Sequence, residues 1–543
     1  MAAPTRQSMH RDNLVKTFYD VIIIGSGPGG AACASEILKG APNAKVALVE
    51  WGRVASIRTG DWDLAQVNER FFANNIATVD YANREADNCC EKNVYLNCCG
   101  TISSLRSLSC CLPTCCTGNF HSFPVEQGRA MGGGTYVNAR IYVGLSEQDV
   151  IDGFDESRIS DYRRFAAEYE PRLARKTAPH PLQQAVGRAF TGAPFIADDT
   201  FPKTWTNKVV VNRACEEPDR RRITSYTALI APLAADGKIQ TYEDFQVKKI
   251  VHDRSGTATG VMAEDGRELE ANIIVVACGA LFSPALLKLS GLGNEQVGKN
   301  LHDHPYLRYA YLSNSKTNDD LSEHHFVNTQ YCDAHGVTAD FTMGTPGGLV
   351  ATSQYVQSLS PTKFWSTLCR YPMAVLPCKI FNSNVPIVLG FGWQPKVRGE
   401  VIIQPDGTPR VVYDTLSDPD EVAQLNASLR AMVEAIEKEP TLEKYTTPLF
   451  AKSELDELKV GGTARPLSHW HVTSSCRMDA KNAPGAVSSS FKLHGTTNVF
   501  VGDSSVPRST STFNTMSLCY FSGYLCGQEV VKAIIEGGSK KVL

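Results

Sequence analysis

The stretch YDVIIIGSGPGG, residues 19–30, decides the fold of this chain. Its β-branched run at 21–24 predicts a buried parallel strand, and the glycines that follow have the spacing G-x-G-x-x-G. Residues 31–38 then have the composition of a helix, and the apolar run at 45–49 predicts a second strand. A strand, a glycine-rich turn, a helix and a strand in this order indicate a Rossmann-type α/β unit that binds a dinucleotide.

Each glycine of this turn is expected to have a separate physical task. Gly25 permits the tight turn out of the strand, Gly27 lets the backbone approach a pyrophosphate, and Gly30 lets the helix pack against the sheet. The helix N-terminus offers free N–H groups and positive dipole to phosphates. Glu50 ends the second strand about 20 residues later, where it can accept hydrogen bonds from adenosine ribose hydroxyls. We therefore predict a dinucleotide site that includes Gly25, Ser26, Gly27, Gly30 and Glu50.

Length and composition restrict the class of protein. A chain of 543 residues suits two or three domains, and its 20% charged residues and net charge of −3 give no electrostatic footprint for nucleic acid. A short basic segment such as Arg220–Arg222 is interpreted as a solvated face. No apolar run reaches the about 18–20 residues of a membrane span, and residues 1–18 lack the apolar core of a secretory signal. We expect a cytoplasmic, non-secreted protein, with an organelle transit peptide left open by Arg6, Arg11 and Lys16.

A second nucleotide-facing device is predicted near the C-terminus. Residues 498–502 form another short apolar run, which is typical of a buried strand and which ends at Asp503. The polar loop 508–513 leads to a predicted helix from near Asn514 to about Ile535. A strand that ends in Asp and is followed by a helix start is typical of a site that faces a phosphate or a flavin.

Taken in order along nearly the whole chain, these motifs resemble those of the glucose–methanol–choline (GMC) oxidoreductase family of flavoproteins. The matching segments are the turn at 25–30, GRAMGGGTYVN at 128–138, TSYTA at 224–228, the strand around Val247, CGALFSP at 278–284, VGKNLHDHP at 297–305, HVTSSCRM at 471–478 and the segment 498–514. The resemblance implies bound FAD and oxidation of an alcohol by hydride transfer to flavin N5.

The resemblance also implies two catalytic residues, His471 as the base and Asn514 at the second active-site position. An imidazole with an unperturbed pKa near 6.5 can take the hydroxyl proton while hydride leaves the same carbon. An Asn amide cannot act as a base, but it can donate to the substrate oxygen. The alternatives are a structural role for His471 and a helix N-cap role for Asn514.

Further contacts to FAD are implied by the same motifs. They are Gly132, Gly133, Thr135 and Asn138 of the loop over the flavin, Val247 at the adenine, and Asp503, Ser504 and Thr515 of the C-terminal segment. No His occupies the family's usual attachment position near this loop, so noncovalent FAD is expected. The chain departs from the family pattern at Ser474 and Ser475, which replace Gly and Thr, and at Thr515, where many relatives have Pro.

The chain has 17 cysteines, and eight of them form four adjacent pairs within residues 89–116. This insertion has no counterpart in the family motifs, and the pairs lack the C-x2-C spacing of zinc ribbons. We interpret it as a buried loop of reduced thiols, with a zinc or iron–sulfur site and palmitoylation as alternatives, and we predict no metal site. Cys33, Cys278, Cys519 and Cys526 are expected to pack as small hydrophobic side chains.

The expected fold class is α/β, with a Rossmann-type FAD-binding domain and a second, α+β substrate domain built on an antiparallel sheet. Strands at 399–404 and 410–413 and a helix at 418–437 are predicted in the second domain. The predicted FAD-binding domain is discontinuous and comprises 16–150, 237–312 and 461–543, and the substrate-binding domain comprises 151–236 and 313–460.

The leading functional hypothesis is an FAD-dependent alcohol dehydrogenase or oxidase, with a small-molecule alcohol as substrate and oxygen or another carrier as electron acceptor. The alternatives are a lyase or a light-driven fatty acid decarboxylase of the same family, and a non-catalytic FAD-binding protein. No motif names the alcohol, the acceptor or the oligomeric state.

Overall fold

The structure is a computed structural model. It describes residues 18–54, 72–80, 122–138, 140–176, 180–192, 201–218, 221–313, 327–343, 386–405, 407–413, 415, 417–448, 467–468 and 470–540. The paired cysteines at 89–116 lie outside the described residues, so their interpretation stays a prediction.

The described residues form three larger sheets and a set of helices. The strands are β1 (Phe18–Ile24), β2 (Val46–Val49), β3 (Phe72–Asp80), β4 (Ser122–Gly128), β5 (Ile141–Tyr142), β6 (Lys208–Val211), β7 (Arg213–Ala214), β8 (Ile239–Tyr242), β9 (Val247–His252), β10 (Ala258–Ala263), β11 (Glu268–Val276), β12 (Pro305–Ser313), β13 (Val327–Cys332), β14 (Thr338–Met343), β15 (Pro386–Gly392), β16 (Glu400–Ile403), β17 (Pro409–Val412), β18 (Thr446–Pro448), β19 (Leu467–Ser468) and β20 (Val499–Val501). The helices are α1 (Pro28–Gly40), α2 (Glu147–Gly153), α3 (Ile159–Glu168), α4 (Glu170–Leu173), α5 (Pro181–Thr191), α6 (Ala231–Ala235), α7 (Gly279–Leu289), α8 (Pro419–Lys438), α9 (Pro440–Tyr445) and α10 (Met516–Lys540).

The Rossmann-type sheet is confirmed. Its strand order is β8-β2-β1-β11-β10-β9, and β1 runs parallel to both β2 and β11. The other edge of β11 is shared, because β10 pairs with residues 268–270 and β20 pairs with residues 274–276. Residues 21–24 of β1 are buried on both faces, as a continuous β-branched run in a central parallel strand requires. The carboxyl ends of β1, β2 and β20 therefore meet at one edge, where the predicted nucleotide-binding turns lie.

An antiparallel sheet of six strands is also present, as expected for the second part of the fold. Its order is β13-β14-β15-β12-β18, and β19 also pairs with β12. The predicted strands at 399–404 and 410–413 are β16 and β17, and they pair antiparallel as expected. They belong to a separate four-stranded sheet, because β17 pairs with β3 and β3 pairs with β4. This sheet combines one segment from each predicted domain, and the division into two domains stays a prediction.

The two long predicted helices lie within a few residues of their expected bounds. Helix α8 begins at Pro419, and Asp418 is its N-cap, with Oδ1 accepting from the N–H groups of Asp420 and Glu421. Helix α10 begins at Met516, two residues after the predicted start. Within the described residues, no helix combines the length and the apolarity that crossing a membrane requires.

Helices α1 and α10 pack unusually closely, because glycines lie at their contact. A Cβ on Gly523 would lie 1.9 Å from the carbonyl oxygen of Gly29, and one on Gly527 would lie 2.7 Å from Cβ of Glu36. Cys33 and Cys526 are fully buried in the same core, as small hydrophobic side chains would be. Burial raises the pKa of the Cys526 thiol well above its ordinary value.

We predict that Gly523→Ala lowers the free energy of unfolding by about 1–3 kcal/mol, because the new methyl group must push α10 away from α1. Urea denaturation of the purified protein measures this change. Gly537→Ala is the matched control on the same helix, since no atom lies within 4 Å of its added Cβ. The control should raise the free energy of unfolding by about 0.5–1 kcal/mol, since Ala favours a helix over Gly. Equal effects of the two changes would contradict the close contact.

Candidate active site

The fingerprint turn has the geometry that its glycines predict. Gly25 has φ +102, and a Cβ there would lie 2.3 Å from the carbonyl oxygen of Ala277. A Cβ on Gly30 would lie 1.9 Å from the carbonyl oxygen of Gly25, so the helix touches the strand backbone. Gly27 is the N-cap of α1, and among the described residues no atom lies within 4 Å of where its Cβ would be. The turn is therefore closely packed against the backbone at Gly25 and Gly30. At Gly27, beside the first N–H groups of α1, it leaves space for a ligand.

The loop that follows β4 packs against this turn. The N–H of Gly132 donates to Oγ of Ser26 over 2.8 Å, and a Cβ on Gly133 would lie 3.0 Å from Cα of Gly27. Thr135 Oγ1 donates to the carbonyl oxygen of Gly132 over 2.6 Å. The fingerprint turn at 25–30 and the loop at 132–135, which were predicted from two distant motifs, are thus in direct contact.

Glu50 is tied to the same turn. Its Oε2 accepts from the N–H and the Oγ of Ser26 at 2.9 and 2.6 Å, and its Oε1 accepts from the N–H of Gly52 at 3.2 Å. Burial raises the pKa of this carboxyl. The carbonyl oxygen of Glu50 accepts from the N–H of Phe245, which places Val247 at the start of β9 beside the end of β2.

Asn138 is held by an arginine that the sequence interpretation placed wrongly. Arg222 is not part of a solvated face. It is half-buried, and its Nη1 donates to Asn138 Oδ1 at 2.6 Å and to the carbonyl oxygens of Thr135 and Asn138 at 3.1 and 2.8 Å. The cation caps the carbonyl end of the short 3-10 helix Gly133–Tyr136, an interaction that residue spacing alone does not reveal. Burial lowers the pKa of Arg222 to about 9.

Asp503 uses its carboxylate to join its own loop to the start of α7. Oδ2 accepts from the N–H of Gly279 and from Oγ of Ser283 at 2.8 and 2.5 Å, and Oδ1 accepts from the N–H of Ser505 at 2.7 Å. Burial raises the pKa of Asp503. The carbonyl oxygen of Ser504 accepts from the N–H of Ser474, and Thr515 lies directly before α10. The structure therefore brings the C-terminal predicted residues next to the segment that carries His471.

The two predicted catalytic residues are in contact. Nε2 of His471 lies 3.1 Å from Nδ2 of Asn514, which is two residues before α10. His471 is buried, and its main-chain N–H donates to Oδ1 of Asp303 at 3.0 Å. Its Nδ1 lies 2.9 Å from Nδ1 of His304, and the two rings are nearly perpendicular at 86°. An imidazole nitrogen and an amide that converge in this way can bind one hydroxyl group.

The HDHP segment that holds His471 had no role assigned from the sequence. His302 exchanges two main-chain hydrogen bonds with Thr473, and its Nδ1 accepts from the N–H of Thr510 at 3.2 Å. Burial lowers the pKa of His302 well below its ordinary value and that of His304 to about 4. Both rings are therefore neutral at neutral pH. The motif at 297–305 was visible in the sequence, but its contacts with residues about 170 positions away were not.

The loop before α10 is anchored on several sides. Asp149 Oδ1 accepts from both the N–H and the Oγ1 of Thr512, each at 2.7 Å. Gln394 Nε2 donates to the carbonyl oxygen of Ser511 at 2.9 Å, and Gln330 Nε2 donates to Asn514 Oδ1 at 2.5 Å. Asp149, Gln330 and Gln394 were missed, because no motif marks them.

Comparison with family models agrees with this geometry. Two domain models, both described as GMC oxidoreductase, match residues 22–306 and 395–523, together well over half of the chain. This chain belongs to the GMC oxidoreductase family. The family is FAD-dependent, and the fingerprint fits such a cofactor, because Gly27 and Gly134 both leave open space where a side chain would otherwise stand.

Curated relatives are distant. The chain is 27% identical over 325 residues to an uncharacterized GMC-type oxidoreductase of Mycobacterium tuberculosis, a match that covers 56% of this chain and 48% of that protein. The matched region thus spans about half the length of that relative. A 5-(hydroxymethyl)furfural oxidase of Methylovorus sp. is 24% identical over 72% of this chain and 80% of its own length.

Solved structures share the fold at low identity. A formate oxidase from Aspergillus oryzae superposes with a TM-score of 0.70 and 15% identity, covering 96% of this chain and 99% of its own. A pyridoxine 4-oxidase from Mesorbium loti gives a TM-score of 0.69 and 16% identity, covering 94% of this chain and 99% of its own.

We predict that Ser474→Gly raises the free energy of unfolding by up to about 1 kcal/mol, because release of the left-handed conformation at Ser474 (φ +68) outweighs loss of the hydrogen bond that its Oγ donates to Thr473 Oγ1. Ser475→Gly is the control, since its φ is ordinary and its buried Oγ donates to the carbonyl oxygen of Ala280. Denaturant unfolding should show the control to be destabilised. Two destabilised variants would contradict strain at Ser474.

We predict that buried His304 makes the protein lose stability as the pH falls from about 6.5 towards 4. The unfolded imidazole binds a proton near pH 6.5, whereas the folded ring stays neutral until about pH 4, so acid favours the unfolded state. The slope is at most about 1.4 kcal/mol per pH unit for this group. In thermal unfolding from pH 7 to 5, His304→Gln should have a flatter pH dependence than wild type. Exposed His335→Gln should keep the wild-type slope, and an unchanged slope in His304→Gln would exclude this cause.

Proposed function

We propose that this chain oxidises the CH–OH group of a small-molecule alcohol, with noncovalent FAD as the cofactor and His471 as the base. The observation that carries the proposal is the 3.1 Å contact between His471 Nε2 and Asn514 Nδ2. It lies just before the N-terminus of α10, in a chain that belongs to an FAD-dependent oxidoreductase family.

His471 and Asn514 divide the work on the substrate hydroxyl. Nε2 of His471 takes the hydroxyl proton, which a neutral imidazole can do as a general base. Nδ2 of Asn514 donates to the substrate oxygen and so fixes the position of the carbon that is oxidised. Bound FAD supplies the hydride acceptor. The positive end of α10 lies beside the site and favours negative charge there.

The residues proposed to hold FAD belong to segments that contact one another, as the hydrogen bonds of Ser26 with Gly132 and Glu50 illustrate. The open side of the fingerprint turn and the first N–H groups of α1 suit the pyrophosphate, and Glu50 and Val247 lie on the side proposed for the ribose and adenine. The proposed contacts are Gly25, Ser26, Gly27, Gly30, Glu50, Gly132, Gly133, Thr135, Asn138, Val247, Asp503, Ser504 and Thr515.

The substrate is proposed to enter between the Rossmann-type sheet and the six-stranded sheet. Gln330 of β13 contacts Asn514, so the six-stranded sheet reaches the catalytic pair. The division into an FAD-binding part (16–150, 237–312, 461–543) and a substrate-binding part (151–236, 313–460) is proposed on the same ground. A relative named 5-(hydroxymethyl)furfural oxidase supports a primary alcohol as the first compound to test.

We predict that anaerobic mixing of the FAD-loaded protein with a panel of primary alcohols, sugars and sterols bleaches the visible band of the oxidised flavin with at least one compound. His471→Ala should slow this reduction about 10²–10⁴-fold, since the base is removed. His494→Gln is the control, because that histidine is half-exposed and contacts Asp479 outside the pair.

Oxygen consumption with the reducing compound then separates an oxidase from a dehydrogenase. If no alcohol bleaches the flavin, or if His471→Ala reduces it at the wild-type rate, the proposal is wrong. A lyase, a light-driven decarboxylase or a non-catalytic FAD-binding protein would then be the remaining hypotheses.

A further inference from the structure

A line of polar groups connects His471 to a buried carboxylate on the six-stranded sheet. Asn514 Nδ2 lies 3.1 Å from His471 Nε2, and Asn514 Oδ1 lies 2.5 Å from Gln330 Nε2. Nε2 of Gln330 also lies 3.4 Å from Oδ2 of Asp340. Gln330 and Asp340 are directly opposite each other on β13 and β14, and both are buried, at 3% and 6% exposure. The Gln330–Asp340 end of the line is therefore shielded from water and built on paired strands, whereas Asn514 is partly exposed.

Asp340 decides which end of the Gln330 amide faces it. A carboxylate only accepts hydrogen bonds, so the NH2 group of Gln330 must point towards Asp340. Asn328 shows the same orientation, because its Nδ2 donates to Oδ1 of Asp340. Turning the Gln330 amide round would place Oε1 against the carboxylate. In the observed orientation Oε1 is buried and has no hydrogen-bond partner within the described part of the chain.

This orientation passes to the catalytic pair. Because Gln330 presents donors, Asn514 turns its Oδ1 towards Gln330 and its NH2 group towards His471. A donor that faces Nε2 of His471 requires a lone pair on that nitrogen. The proton of the neutral ring therefore lies on Nδ1, where it can be donated to Nδ1 of His304 over 2.9 Å.

We propose that Asp340 and Gln330 are positioning residues that fix His471 as the tautomer with its proton on Nδ1 and its lone pair on Nε2. The catalytic meaning of this inference rests on the proposed function, because Nε2 is the atom proposed to accept the hydroxyl proton. If the Asn514 amide were turned round, its oxygen would face His471, and Nε2 of His471 would have to carry the proton. The neutral ring would then have no lone pair on the substrate side with which to accept the hydroxyl proton.

The arrangement also suits the incoming alcohol. The hydroxyl O–H takes the place of the Asn514 donor at the single lone pair of His471 Nε2, and the hydroxyl oxygen accepts from Nδ2 of Asn514, so the order of donor and acceptor on the two side chains is kept. After the proton has moved, Nδ1 and Nε2 of His471 are both donors, and the deprotonated oxygen accepts from Nε2 and from Asn514. Preorganisation of this kind lowers the cost of reaching the reactive geometry.

The direct test is nuclear magnetic resonance of FAD-loaded protein labelled with ¹⁵N in its histidines, which needs no substrate. The His471 signals are assigned by their loss in His471→Gln. The expected result is a protonated, pyrrole-type Nδ1 and an unprotonated, pyridine-type Nε2 in the wild type at neutral pH. The reverse assignment in the wild type would overturn the proposal whether or not any variant folds.

Two variants test the cause. In Asp340→Asn the Gln330 amide can face either way, and in Gln330→Met the line is cut, so both should shift His471 towards a mixture of tautomers. The matched control is Thr338→Val, which removes a hydroxyl two residues from Asp340 that donates instead to the carbonyl oxygen of Gly392. The control should keep the wild-type tautomer. If the tautomer stays unchanged in both Asp340→Asn and Gln330→Met, these residues do not set it.

Kinetics separate this inference from the proposed function. With an alcohol that reduces the wild-type flavin, Asp340→Asn should lower the limiting rate of reduction about 10²-fold, with a much smaller change in the apparent dissociation constant of the alcohol. If His471→Ala abolishes reduction while Asp340→Asn leaves both rate and tautomer unchanged, the positioning role is wrong and the function stands. If no alcohol reduces the wild type, the function fails, and the tautomer measurement still decides the positioning role.

Discussion

The close contact between α1 and α10 is the constraint on which the rest of the structure depends. The main chains touch at Gly29 and Gly523, where no side chain would fit. This contact fixes the start of α10 relative to the start of α1. Because Asn514 lies two residues before α10 and the fingerprint turn directly precedes α1, the contact also fixes the second proposed catalytic residue relative to the predicted nucleotide site. A packing interaction in the core thus sets a distance in the active site.

The proposed catalytic pair is held by buried groups rather than by solvent-exposed loops. Asp303 fixes the main chain of His471, the neutral His304 meets its ring, and Asp149 holds the loop before α10. Buried polar groups are costly unless they are hydrogen-bonded, so each of these contacts also restricts the conformations that its neighbours can take. The restriction supplies the preorganisation that a proton transfer between fixed groups requires.

Much of the fold and part of the site were predictable from local patterns. The β-branched run at 21–24, the glycine spacing and the helix at 419–438 follow from the chemistry of neighbouring residues, and all are observed. The placement of β16 and β17 in a sheet with β3 and β4 was not predictable, because strand pairing joins segments more than 300 residues apart. Arg222 was misjudged for the same reason, since its acceptors lie in the loop at 135–138.

The sequence by itself determined the dinucleotide-binding turn, because local geometry imposes the residue types and spacing of that motif. It also carried the family resemblance, which implies His471 and Asn514 as the catalytic pair. Only the tertiary structure decided which groups surround that pair. Gln330 and Asp340 lie in no motif. Antiparallel pairing sets them opposite each other, and Gln330 contacts Asn514. Hydrogen-bond direction depends on such contacts between distant segments, and so the donor and acceptor order at His471 is a property of the folded chain.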